Sequence, residues 1–182
     1  MNSVDVKQIK IAKRYAVALV ESAVDDGVLQ PVFQQLCMVR DTLLNSADLF
    51  DFLTNPIVSF TDKYDVIDKV FSSEVSDKVT NFLKLLVENS RFELFYSVIE
   101  QYSVKLDEFN NISRVSVVSA VNLDDEAKRR IVEKLEFKIS KKVIAEYKVN
   151  PEIIAGLVIE VNNKTIDTSL KTKLNNIKKQ LI

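Results

Sequence analysis

Apolar residues recur at three- and four-residue spacing through the first 109 residues, and the period then drops towards two. The opening run predicts a helix from about Val4 to Val24, ending before Asp25-Asp26-Gly27. Ile9, Ala12, Ala16, Leu19 and Ala23 fall on one face of it, and Ile11, Tyr15, Ala18 and Ser22 on a neighbouring face. A helix packed on one side needs an apolar stripe of roughly 100°. This stripe is wider and rich in alanine, which lets another helix approach closely. Two readings follow: the helix lies deep in its own bundle, or one face meets the core and the other receives a foreign helix.

Five further helices follow at short spacing. The second, about Val28 to Asn45, places Leu29, Phe33, Leu36, Cys37, Leu43 and Leu44 inward. Its Pro31 lies in the first turn, where a missing amide proton is harmless. The third carries Leu49, Phe50 and Leu53. It must end before Asn55-Pro56, because a residue preceding proline avoids helical geometry. Ser59 or Thr61 can start a fourth, with Tyr64, Ile67, Val70 and Phe71. The fifth, Glu74 to Asn89, turns Val75, Val79, Phe82, Leu83 and Leu86 to the core. Leu85 falls off that stripe, near Lys78, Asn81 and Asn89. It is either an ordinary surface leucine or part of a docking groove. The sixth, Phe92 to about Phe109, repeats Phe92, Phe95, Ile99, Tyr102 and Leu106. Short connections between such helices imply a bundle spanning residues 1–109.

Beyond Asn110-Asn111, Arg114 to Val121 alternates as a strand. Asp124, Asp125 and Glu126 suit the start of a helix with Ala127, Ile131, Leu135 and Ile139 inward. Val143 to Val149 reads as a second strand. Gly156, one of two glycines, precedes Leu157, Ile159 and Val161 in alternation, so it points to a special backbone need. Asn162-Asn163 reads as a tight turn, Thr165-Ile166 as a returning strand, and Leu170, Leu174, Ile177 and Leu181 as one face of a terminal helix capped by Asp167, Thr168 or Ser169. The expected fold is therefore mostly α: an N-terminal six-helix bundle over 1–109 and a small C-terminal α+β domain over 110–182.

Charge sharpens that division. Residues 1–109 hold 11 basic and 17 acidic residues, and residues 110–182 hold 14 and 9, giving formal charges of −6 and +5. Opposite signs suit two surfaces with different partners, or simply two differently solvated faces. The net charge of −1 argues against general nucleic-acid binding. Lys171, Lys173, Lys178 and Lys179 form a basic cluster, yet no aromatic lies among them to stack on a base. The catalytic inventory is thin. Without histidine there is no Ser-His or Cys-His pair, and one cysteine without histidine makes no ordinary zinc site. Two isolated glycines make no phosphate-cradling loop. No cofactor or metal is expected, and the chain reads as a non-enzyme. Cys37 reads as a small core residue and fits a reducing compartment. No apolar run reaches the roughly 20 residues that span a bilayer, so no direct membrane insertion is expected.

Three stretches carry a family resemblance. They are Arg14-Tyr15-Ala16-Val17-Ala18-Leu19; Asn81 to Arg91, NFLKLLVENSR; and Ala155-Gly156, the apolar Leu157 to Val161, then Ile166-Asp167-Thr168-Ser169. In this order they resemble the delta subunit of rotary F-type ATP synthases, whose mitochondrial equivalent is the oligomycin-sensitivity-conferring protein. Two departures stand out. Ala155 replaces the first glycine of a frequent pair. Ser90 stands where a glycine is common, so the break after helix five is closed without a left-handed glycine.

The resemblance implies a non-catalytic peripheral-stalk (stator) subunit. Such a subunit links the alpha/beta head to the b-type stalk and resists rotor torque during proton-driven ATP synthesis. It implies that the bundle receives the N-terminal helix of an alpha subunit between its first and fifth helices, through Ile11, Tyr15, Ala18, Ser22, Lys78, Leu85 and Asn89. The C-terminal domain would bind the C-terminal ends of b-type subunits, with Ile153 and Leu157 as candidate contacts that equally suit a core. The opening MNSVDVKQIK has the character of neither a signal nor a transit peptide, so the expected location is the cytoplasmic side of a bacterial plasma membrane, held there by partners, with a mature organellar form as the alternative. The alternatives are a helix-binding adaptor outside the ATP synthase and an RNA-associated module resting on the basic C-terminal part.

Overall fold

The structure, a computed structural model, describes residues 3–153, 155–161 and 164–167, and its contacts divide the chain into Met1–Leu106 and Asp107–Ile182. The first unit is built from α1 (Ser3–Asp25), α2 (Leu29–Asn45), α3 (Ala47–Thr54), α4 (Phe60–Phe71), α5 (Asp77–Glu88), a 3-10 turn over Phe92–Leu94, and α6 (Phe95–Phe109). One apolar core joins them. Ala12, Ala16 and Ala23 of α1 are fully buried, so neighbouring helices approach α1 closely. Phe71, Phe92, Phe95 and Tyr102 supply the largest buried side chains, each removing on the order of 2–3 kcal/mol of apolar surface from water. The Tyr102 ring stacks on Phe33, and its hydroxyl donates to the Leu29 carbonyl at 2.9 Å, so this buried polar tip is satisfied.

The inward face of α2 is corrected by the structure. Leu44 is exposed, while Val32 and Val39 join Leu29, Leu36 and Leu43 inside. A helix advances about 100° per residue, and here Leu44 falls beyond the edge of the buried stripe that Leu43 continues. The stripe Val32, Leu36, Val39, Leu43 is the continuous one. Val70 of α4 also faces outward, beside the buried Ile67 and Phe71.

Two helix ends close in the same way. After α1, the Gly27 amide donates to Val24 and the Val28 amide to Ala23, with Gly27 left-handed at φ 68°. After α5, the Ser90 amide donates to Val87 and the Arg91 amide to Leu86, with Ser90 at φ 53°. Both are Schellman closures. The second is indeed made without glycine, yet it keeps the left-handed geometry and puts a Cβ into it. Ser59 caps α4, its side chain accepting the Asp62 amide proton.

In the second unit, β1 (Ile112–Ser119), α7 (Asp125–Ile139), β2 (Lys142–Val149), a 3-10 turn over Pro151–Ile153, β3 (Leu157–Val161) and β4 (Lys164–Asp167) follow in order. The described strands form a sheet in the order β2-β1-β3-β4, with β1 parallel to β2 and antiparallel to β3, and β4 antiparallel to β3. A parallel pair needs a long crossover, and α7 provides it. The alternation read in the sequence sets the faces: Val115, Val117 and Val143 meet Leu135, Ile131, Val132 and Ile139 of α7. Asp124 caps α7, its carboxylate accepting the Ala127 amide proton at 2.7 Å. Gly156 sits at φ 98°, the backbone need that its place before β3 suggested. The expected Asn162-Asn163 turn, the terminal helix and its four lysines lie outside the described residues. Among the described residues, no helix is long and apolar enough to cross a membrane.

Candidate partner-binding groove

Between α1 and α5 the bundle leaves an apolar groove of about 530 Å³, lined by Tyr15, Ala18, Leu19, Ser22, Lys78, Asn81, Phe82 and Leu85. Leu19 and Phe82 are buried and form its floor. The Tyr15 ring stands edge-on to Phe82, with centroids 6.5 Å apart and planes at 71°, a favoured aromatic arrangement. Leu85 is 43% exposed on the opposite side. Ala18 and Ser22, one turn apart on α1, are short, so the wall is hollow where longer side chains would have filled it.

Local sequence explains the geometry. Tyr15, Ala18 and Ser22 recur at spacings of three and four, as do Lys78, Asn81 and Leu85, so each set shares a helix face. The core residues Ala12, Ala16, Leu19 and Ala23 pull α1 onto the bundle and leave the other face outward. On α5, Val79, Leu83 and Leu86 do the same for Leu85.

A polar clamp closes one end. The Lys78 ammonium donates to the Ser22 carbonyl at 2.8 Å and to the Ser22 hydroxyl, and pairs with Asp26 at 2.7 Å. It ties the start of α5 to the end of α1, and so holds the groove walls at a set spacing. Such a part-exposed ion pair contributes little stability, about 0–1 kcal/mol; its effect is positional.

Of the residues selected from sequence, Tyr15, Ala18, Ser22, Lys78 and Leu85 are brought together here. Ile11 is half-buried against the bundle core, and Asn89 ends α5 with its side-chain amide donating to the Leu85 carbonyl at 2.8 Å; neither lines the groove. Leu19, Phe82 and Asn81 line the groove as well, although the partner-binding set read from sequence does not include them. The first two were assigned to the core, which they also serve. Asn81 was legible as the i−4 neighbour of Leu85 on the same face. In the second unit, Ile153 is buried and Leu157 packs half-buried against the sheet core, so their placement is that of packing residues. Among the described residues of that unit the exposed large apolar side chains are instead Phe109, Val121, Phe137, Ile144 and Val149. Cys37 is half-buried, and desolvation pushes its thiol above the ordinary range, which disfavours the reactive thiolate. Among the described residues, no three His, Cys, Asp or Glu side chains gather as metal ligands.

An apolar floor, small hollows and polar rims are the features that suit the apolar face of an amphipathic helix. The family described as ATP synthase delta (OSCP) subunit matches residues 11–181. A protein of Lactobacillus acidophilus named ATP synthase subunit delta is 33% identical over 95% of both chains. One of the same name from Chlorobaculum parvum is 31% identical over 94% of both. The fold is similar to that of a chain in the mitochondrial ATP synthase hexamer of Toxoplasma gondii, with a TM-score of 0.65 and 20% identity, covering 93% of this chain and 96% of that one.

Proposed function

The chain belongs to the ATP synthase delta (OSCP) family, and from that membership we propose that it is the stator subunit that joins a catalytic head to its peripheral stalk. It is a structural component of the complex and not a catalytic subunit. The groove between α1 and α5 takes the N-terminal helix of an alpha subunit. The part from residue 110 onward takes the C-terminal ends of b-type subunits, on the cytoplasmic side of a bacterial membrane. Torque on the head is then resisted through two protein contacts, and no bond is made or broken in this chain.

One observation carries the reading: an apolar groove with a buried floor and an exposed leucine lies where the family-like motifs of α1 and α5 meet. Leu85 and Tyr15 gain by being covered, and the short Ala18 and Ser22 let a helix backbone come near.

Ala18→Glu tests it. The new carboxylate would enter the contact unpaired, at a cost of about 2 kcal/mol or more, roughly 30-fold in Kd. Because Ala18 is exposed in the free protein, the stability of the isolated chain should move by no more than about 0.5 kcal/mol. Calorimetric titration with an alpha N-terminal peptide reads the first, and urea unfolding the second. Unchanged peptide affinity in the folded variant rejects the groove assignment.

A further inference from the structure

A second cleft lies in the first unit, of about 280 Å³, with Leu53, Val87, Phe92, Ile57 and Phe60 as apolar walls. Lys63 lines it too, although Lys63 is only 4% exposed. Lysines are almost never buried without a partner, because an unpaired buried ammonium is costly. Among the described residues the Lys63 amine makes no ion pair or side-chain hydrogen bond, and it keeps a small opening to solvent. Desolvation accordingly lowers its pKa from the ordinary lysine range.

The position of Lys63 explains where the charge is delivered. It is the fourth residue of α4, and helical side chains lean back towards the N-terminus. The Lys63 side chain therefore shares the cleft with Ser59 and Phe60 at the start of that helix. Helix N-termini carry partial positive charge from unpaired amides. Ser59 and Thr54 also line the cleft, but their hydroxyls are spent on Asp62 and on the Phe50 and Asp51 carbonyls. The one acid on the wall, Glu93, is exposed. What the cleft lacks is an anion at its cationic end, with apolar surface around the rest.

We propose that this cleft binds a small monocarboxylate with an apolar chain, its carboxylate on the Lys63 ammonium and its chain against Leu53, Val87 and Phe92. The volume corresponds to roughly nine waters at about 30 Å³ each. That matches a chain of about eight carbons. The site lies apart from the groove between α1 and α5 and shares no lining residue with it.

Octanoate, octanol and octylamine, titrated into the full chain and followed by amide chemical shifts, provide the test. Octanoate should give saturable shifts at residues 57–63 and 90–93, and should bind at least about tenfold tighter than octanol, as a charge-assisted contact requires. Octylamine should not saturate. Lys63→Met should abolish the preference for octanoate over octanol. Ile57→Asp, at a residue 90% exposed, leaves the core untouched and should weaken octanoate alone, so the test survives if the Lys63 variant fails to fold. Equal affinity for octanoate and octanol in the wild-type chain, shifts without saturation, or an unaltered preference in Lys63→Met each overturns the proposal.

Discussion

Ser90→Gly should stabilise the protein, and Gly27→Ala should destabilise it by a similar amount. Both residues occupy the left-handed position of a Schellman closure, at φ 53° and φ 68°. A Cβ in that region costs about 1–2 kcal/mol. Replacing it with glycine also loosens the unfolded chain, which costs back about 0.4–1 kcal/mol. The net gain expected for Ser90→Gly is about 0.5–1 kcal/mol. The two closing hydrogen bonds, 2.9 Å to Val87 and 2.8 Å to Leu86, use only backbone atoms and survive the change. At Gly27 an added Cβ would meet no atom within 4 Å, so Gly27→Ala isolates the backbone term with the opposite sign. Urea unfolding followed by far-UV circular dichroism reads both. With a slope of about 2 kcal/mol per molar urea, the midpoints should move by roughly 0.25–0.5 M in opposite directions. If Ser90→Gly lowers the midpoint, the serine side chain is contributing more than its strained backbone costs, and the argument fails.

Three further outcomes follow from the same geometry. Tyr102 is fully buried, and desolvation pushes its hydroxyl pKa up to about 12. From about pH 10 the unfolded chain loses this proton and the folded one keeps it, so stability should fall as pH rises towards 12, by on the order of 2–3 kcal/mol. Tyr102→Phe should remove that part of the alkaline slope and, by deleting a buried hydrogen bond to the Leu29 carbonyl, cost about 1 kcal/mol at neutral pH; parallel urea curves across alkaline pH test this, and an unchanged slope refutes it. Asp124→Ala should cost about 1 kcal/mol by removing the cap of α7, with amide exchange of α7 accelerated and that of α2 unaltered. Ala18→Glu, described above, should separate binding from stability.

Sequence by itself determined a great deal of this molecule, because helix and strand periods are local properties. The stripe of Ala12, Ala16, Leu19 and Ala23, the stop before Asn55-Pro56, the alternation through Val115 and Val117, and the glycine before β3 all state nearest-neighbour requirements that any fold must respect. The doubled face of α1 already indicated surplus surface. What only the tertiary structure decided is which surplus residues meet. Leu43 and Leu44 are equally apolar neighbours, and packing alone chose between them. Phe82 belongs at once to the core and to the floor of a groove, a double role that one helix cannot reveal. Tyr15 and Leu85 are 70 residues apart in the chain, and nothing local specifies the cleft between them. Lys63 is a sharper case: in sequence it is an unremarkable lysine near the start of an amphipathic helix, and its burial depends on Leu53, Val87 and Phe92 arriving from three other segments. Burial is a sum over distant neighbours, so the enclosure of a charged side chain is visible only after the chain has folded around it.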